Sequence, residues 1–119
     1  MQDLHGVHSA AFDIAAITGE IRAEAGYGRD GHSARTLLRE ADLRIVLLVM
    51  KAGSTMKEHR VSETASIYAL TGHVRLRLPD RVAALSGGSL LVLEPGLQHD
   101  VEALEESSLL LTLGSRGKT

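Results

Sequence analysis

Residues 44–78 read RIVLLVMKAGSTMKEHRVSETASIYALTGHVRLRL, and their patterning decides the fold. Residues 45–50 are apolar without interruption, the pattern of a strand covered on both faces rather than on one. Val74, Leu76 and Leu78 alternate with Arg75 and Arg77, so the strand closing this stretch has one dry face and one wet face. Gly53 and Gly72 punctuate the runs between, and no 3.6-residue apolar period lasts long enough for a helix. Closely spaced short strands with glycine turns predict a β-sandwich or barrel. The doubly covered strand needs the barrel interior on one side and a second sheet or subunit on the other. At about 25 cal/mol per Å² of apolar surface, covering that second face is worth several kcal/mol, so a homodimer is expected.

Working outward, the strand pattern continues to the C-terminus, with strands predicted over 34–38, 44–51, 56–59, 66–71, 74–78, 82–85, 89–93, 100–103 and 108–113. Before them lies one helix, predicted over 14–25. Asp13 is its N-cap, Phe12 and Ile17 form a hydrophobic staple, Ile14, Ile17 and Ile21 mark one face, and Gly26 offers a left-handed stop. Residues 26–31, where glycines and charges alternate around Tyr27, read as a loop. The chain is thus a single mainly β domain, with a tail, helix and loop over 1–33 and the barrel over 34–119.

Composition excludes several classes of function. The 119 residues are 44% hydrophobic, enough for one core. A net charge of −2 without a basic cluster lacks the footprint of a nucleic-acid binder. No apolar run approaches a membrane span or a cleaved leader, so a soluble protein is expected. Cysteine is absent, which removes disulfides, thiolate metal sites and thiol nucleophiles and fits the cytoplasm. Aromatics at 3% make a stacked-ring site unexpected. Ser86, Ser89, Ser107 and Ser108 lack the G-x-S-x-G elbow, and no helix follows Gly87 and Gly88 to make a phosphate loop. Glu105 and Glu106 are adjacent and point opposite ways, so a wet turn suits them better than acid/base work.

Two glycine–histidine patterns carry the remaining signal. Gly53, His59 and Gly72 stand in the register G(X)5HXH(X)3-4E(X)6G, with Val61 in place of the second histidine and Ala65 in place of the glutamate. Gly88, Gly96 and His99 stand in the register G(X)5PXG(X)2H(X)3N, with Glu94 at the proline place, Pro95 one later and Ala103 at the asparagine place. Over residues 44–114 the chain resembles the cupin superfamily. The resemblance implies a jelly-roll β-barrel, commonly a homodimer, whose interior in the metal-using members holds a divalent metal on three histidines and a glutamate. Two of those four ligand places are changed here, so no metal or a weakly bound divalent transition metal is expected.

Strand parity adds a second line. His59 and Val61 share one face, and His99, Val101 and Ala103 share another, each an apolar row. The expected pocket is lined by His59, Val61, Ile67, Ala69, Gln98, His99 and Val101. If a metal binds, its ligands are His59, His99 and Glu63, the last a displaced substitute for the missing glutamate. The plain structural alternative is that His59 and His99 are neutral core imidazoles, and that Glu63 and Gln98 are turn residues in water. His5, His8, His32 and His73 are expected at the surface, and Tyr68, of opposite parity to Ile67 and Ala69, against the helix or a partner subunit. Three functions fit: a small-molecule binder using the barrel pocket, a metal-dependent enzyme of dioxygenase or isomerase type, and a structural or regulatory dimer with a vestigial pocket. The residues leave open whether any reaction is catalysed.

Overall fold

The computed structural model describes residues 9–114, apart from the side chains of Glu58 and His59. Two helices come first, α1 (Ile14–Arg22) and α2 (Ala25–Asp30). Among the described residues nine strands follow: β1 (His32–Arg39), β2 (Leu43–Met50), β3 (Thr55–His59), β4 (Ala65–Thr71), β5 (His73–Arg77), β6 (Val82–Ser86), β7 (Leu90–Leu93), β8 (His99–Ala103) and β9 (Ser107–Gly114). All nine lie within two residues of their predicted bounds, because alternation and glycine turns are local signals. They form a five-stranded sheet in the order β1-β2-β9-β4-β7 and a four-stranded sheet in the order β3-β8-β5-β6. The pairings within both are antiparallel. Leu48, Met50, Ile67, Leu93 and Leu109 from the first sheet meet Val74, Leu76, Leu85 and Val101 from the second in one core. Among the described residues no helix is long and apolar enough to cross a membrane.

Strand β2 has the two covered faces its apolar run demands. Leu48 and Met50 point into the core between the sheets. Leu47 and Val49 point outward and are 0% exposed, packed with Leu37 under Ile21 and Tyr27. The second cover is therefore the helical segment of the same chain, not the second sheet or subunit the sequence suggested. Helix α1 is built as its sequence directs: Asp13 Oδ1 accepts the Ala16 N–H at 3.0 Å, and Phe12, Ile14 and Ile17 flank the buried Ile21.

The expectation of a single helix running to residue 25 needs correction. α1 ends at Arg22, and the supposed loop 26–31 is largely α2. Its glycines disfavour a helix intrinsically, by roughly 1 kcal/mol each relative to alanine. Tertiary packing overrides that, since Tyr27 is 4% exposed beneath the helical layer and its burial is worth about 1.5–3 kcal/mol. The left-handed stop falls at Gly31, with φ 82°, whose N–H donates to the Tyr27 carbonyl at 2.9 Å. Tyr68 has the outward orientation its parity predicts, but it stands 38% exposed.

The turn between β8 and β9 fastens the helices to the barrel. Tyr27 Oη donates to Glu106 Oε2 at 3.3 Å, and Arg22 pairs with Glu106 Oε1 at 3.3 Å, so Glu106 is more than the solvated turn residue expected. The neighbouring Ser107 is fully buried, accepting the His73 N–H at 3.0 Å and donating to the Glu105 carbonyl at 2.8 Å. Gly72 lies against this turn with φ 90°. A Cβ there would overlap Ser107 Oγ and the Glu106 carbonyl and come within 2.6 Å of Ser107 Cα.

Two predictions follow from this turn. Gly72→Ala combines a left-handed conformation with overpacking and should cost about 2–5 kcal/mol in urea unfolding, whereas Gly88→Ala, left-handed but facing open space, should cost only about 1–2 kcal/mol. Equal costs would contradict the packing argument. Burial, and then the Glu106 carboxylate, raise the Tyr27 phenol above its ordinary value of 10.0. The folded state thus holds this proton more tightly than the unfolded chain. The resulting stability is present below about pH 10 and is lost as pH climbs through the higher folded value. Tyr27→Phe should flatten the alkaline limb of a stability–pH curve, and an unchanged limb would exclude Tyr27 as its source.

Candidate functional site

The four motif glycines, Gly53, Gly72, Gly88 and Gly96, all have positive φ, so the motif spacing marks turns. Gly53 donates to the Ala103 carbonyl at 2.8 Å and Ala103 to the Ser54 carbonyl at 2.9 Å, closing β3 onto β8. From there the pairing runs Thr55 with Glu102, then Met56 with Val101, then His59 with His99. Three residues on β3 thus span two on β8. That β-bulge places His59 directly opposite His99 on the neighbouring strand.

His99 is 4% exposed. Its Nδ1 lies 3.1 Å from the Leu97 carbonyl, and a carbonyl only accepts, so this hydrogen bond puts the proton on Nδ1. In the neutral ring the lone pair then resides on Nε2. Val101, Ile67 and Ala69, all expected in the pocket, are buried at 3%, 2% and 1% in the core between the sheets. Leu78 and Leu97 are only partly buried where they pack on that core. With Leu93, Asp80, Arg81 and Glu94 they line an open crevice of about 420 Å³, a lining that does not include His99.

The other expected residues are less converged. Val61 is half-buried, and its carbonyl accepts the Gly96 N–H at 2.8 Å, tying the two motifs together through the backbone. Gln98 Oε1 accepts from Arg60 Nη2 at 3.2 Å. Glu63 Oε1 accepts from Ser62 Oγ at 3.3 Å, and Glu63 lines a crevice of about 120 Å³ with Arg39, Arg44 and Leu113, a lining that does not include His99. His32 and His73 are half-buried rather than solvated, since each opens a strand, and His32 Nδ1 is buried without a hydrogen-bond partner. His5 and His8 lie outside the described residues.

Asp100 was not singled out by the sequence, because its parity is opposite to that of His99. It lies on the outer face of the four-stranded sheet, with Oδ2 4.0 Å from Arg77 and Oδ1 buried without a hydrogen-bond partner. Beside it Glu102 pairs with Arg75 at 2.8 Å and Arg77 at 3.5 Å.

The donor set does not fit a tightly held metal. Val61 and Ala65 offer only hydrocarbon at two of the four places the motif reserves for ligands, and Ala65 is 4% exposed. Among the described residues no three histidine, aspartate or glutamate side chains converge.

Comparison with known proteins gives the same architecture. Residues 45–112 match the family described as AraC-like ligand binding domain. No curated protein sequence is a match. Among solved structures, a conserved protein of unknown function from Streptococcus pyogenes is similar at 22% identity and a TM-score of 0.73, covering 97% of this chain and 96% of that one. An RmlC-like cupin from Desulfovibrio desulfuricans is similar at 18% identity and a TM-score of 0.72, covering 90% and 97%. Oxalate decarboxylase from Bacillus subtilis, solved in a study of its Mn(II) centres, is similar at 23% identity and a TM-score of 0.69, covering 76% of this chain and 27% of that one.

The two changed ligand places can be tested directly. Ala65→Glu with Val61→His should lower the melting temperature in chelator, since a carboxylate is then buried without a partner, and Zn²⁺ or Mn²⁺ should restore it. A variant that melts alike with and without metal would show that these positions do not converge with the histidines.

Proposed function

The chain belongs to the AraC-like ligand binding domain family of the cupin superfamily, and from that premise we propose that its barrel binds a small organic molecule, with metal held weakly or not at all. The observation that carries this reading is the β3–β8 register, which sets His59 opposite His99 on a strand pair whose Met56 and Val101 pack in the core. Two histidines at one level of the β3–β8 ladder are suited by their chemistry to hold a carboxylate or hydroxyl. Neighbouring aliphatic side chains accept the apolar body of the ligand. Few polar groups on a hydrophobic wall is the usual make-up of a small-molecule site.

A thermal-shift series of sugars and small organic acids tests the reading. A ligand at about 100 times its Kd stabilises by roughly 2.7 kcal/mol, which moves the melting temperature of a domain this size by on the order of 10 °C. His99→Ala and His59→Ala should each remove the shift. A panel without any shift would favour a dimer with a vestigial pocket. Added Zn²⁺, Ni²⁺ or Mn²⁺ should bind weakly, and more weakly as pH falls through about 6.5, because imidazole must be neutral to ligate. One metal per chain retained through chelator dialysis would instead favour a metal-dependent enzyme of dioxygenase or isomerase type.

A further inference from the structure

The charge pairs on the outer face of the four-stranded sheet differ in how well they are satisfied. Register sets Arg75 opposite Glu102 and Arg77 opposite Asp100. Arg75 closes on Glu102 at 2.8 Å. Arg77 does not close on Asp100: its Nη1 stands 4.0 Å from Oδ2, beyond hydrogen-bond length, and its Nη2 reaches Glu102 only at 3.5 Å. Asp100 Oδ1 is buried and accepts no hydrogen bond from the described residues. A buried carboxylate oxygen without a donor is costly, and its usual remedy is a donor from outside the chain. Aspartate turns easily about χ2, so either oxygen can take that role. Asp100 and Arg77 line an open crevice of about 280 Å³ together with Gln98, Leu78 and Pro79. Gln98 Oε1 already accepts from Arg60 at 3.2 Å, so what the amide has to offer is its Nε2 donor. The lining does not include His99, whose side chain leaves β8 on the opposite face, so this crevice is separate from the barrel pocket.

We propose that this crevice binds a free aliphatic α-amino acid, with its carboxylate on Arg77 and Gln98 Nε2, its ammonium on Asp100 and its side chain against Leu78 and Pro79. The charges decide the class. A lone amine at Asp100 is repelled by Arg77, and a lone carboxylate at Arg77 is repelled by Asp100 and Glu102. A zwitterion laid head to tail along the Arg77–Asp100 pair meets an opposite charge at each end. Because Arg77 holds only long contacts within the chain, the ligand gains charge-assisted hydrogen bonds without breaking a short ion pair. Leu78 and Pro79 form the apolar part of the lining, which suits an aliphatic side chain and offers no ring for an aromatic one to stack on.

Titration of the isotope-labelled full chain with L-leucine, followed by heteronuclear NMR, tests the proposal. A ligand this small on an open crevice is expected to bind in the millimolar range, so leucine up to about 20 mM should move the Gln98 side-chain NH2 and Asp100 amide signals saturably. Isocaproate, which lacks the ammonium, and isoamylamine, which lacks the carboxylate, should each bind at least about 10-fold more weakly. Both are compared on the unaltered protein, so this arm stands whatever a substitution does to folding. Asp100→Asn and Arg77→Gln should each weaken leucine binding at least about 10-fold, with unchanged melting by circular dichroism. Arg29→Gln, a like loss of charge in α2, should leave the affinity as it is. The proposal is overturned by signals at Gln98 and Asp100 that do not move, by isocaproate or isoamylamine binding as tightly as leucine, or by full affinity in Asp100→Asn.

Discussion

The structure depends on Leu47 and Val49 being dry. A strand that buries both faces cannot stand at the surface of a sandwich, and on the side away from the core the cover comes from Ile21 and Tyr27. The N-terminal segment is in this sense a second small core laid over the first. Its fastenings at the rim are polar: Tyr27 and Arg22 on Glu106, and Arg35 of β1 on Glu20 and Glu24 at 2.7 and 2.8 Å. Exposed ion pairs of this kind contribute at most about 1 kcal/mol each, so the apolar contact holds the layer and the charges set its alignment.

The strands were legible because each announces itself over four to eight residues by alternation and a glycine stop. What covers β2 was not, since an apolar run specifies the need for a cover and not its source. Helix α2 was hidden for a related reason: AGYGRD has the composition of a loop, and the residue that anchors it, Tyr27, does so by packing with Leu37, Leu47 and Val49 and by its hydrogen bond to Glu106, all distant in sequence. The N-cap at Asp13 and the face of Ile14, Ile17 and Ile21 depend on neighbours within one turn, and both were readable in advance.

At the candidate site the glycine spacing was the informative feature. Turns with positive φ restrict sequence severely, so Gly53, Gly72, Gly88 and Gly96 survive as a readable frame even where Val61 and Ala65 have replaced ligating residues. The chemistry between the turns is less legible. Nothing local distinguishes Gln98 bound to Arg60 from Gln98 aimed at a ligand, nor Glu63 bound to Ser62 from Glu63 on a metal, because such choices are made by side-chain torsions and not by strand register.

The bulge in β3 has a consequence for how such a chain tolerates change in length. By spending one extra residue between Met56 and His59, it puts the strand a half-step out of phase with the β8 strand it accompanies. Removing one residue at 57 or 58 would make the ladder more regular and keep His59 opposite His99, because Met56 and His59 would then be two positions apart, as Val101 and His99 are. The extra residue of β3 is thus a reserve of length that can be lost without separating the two histidines.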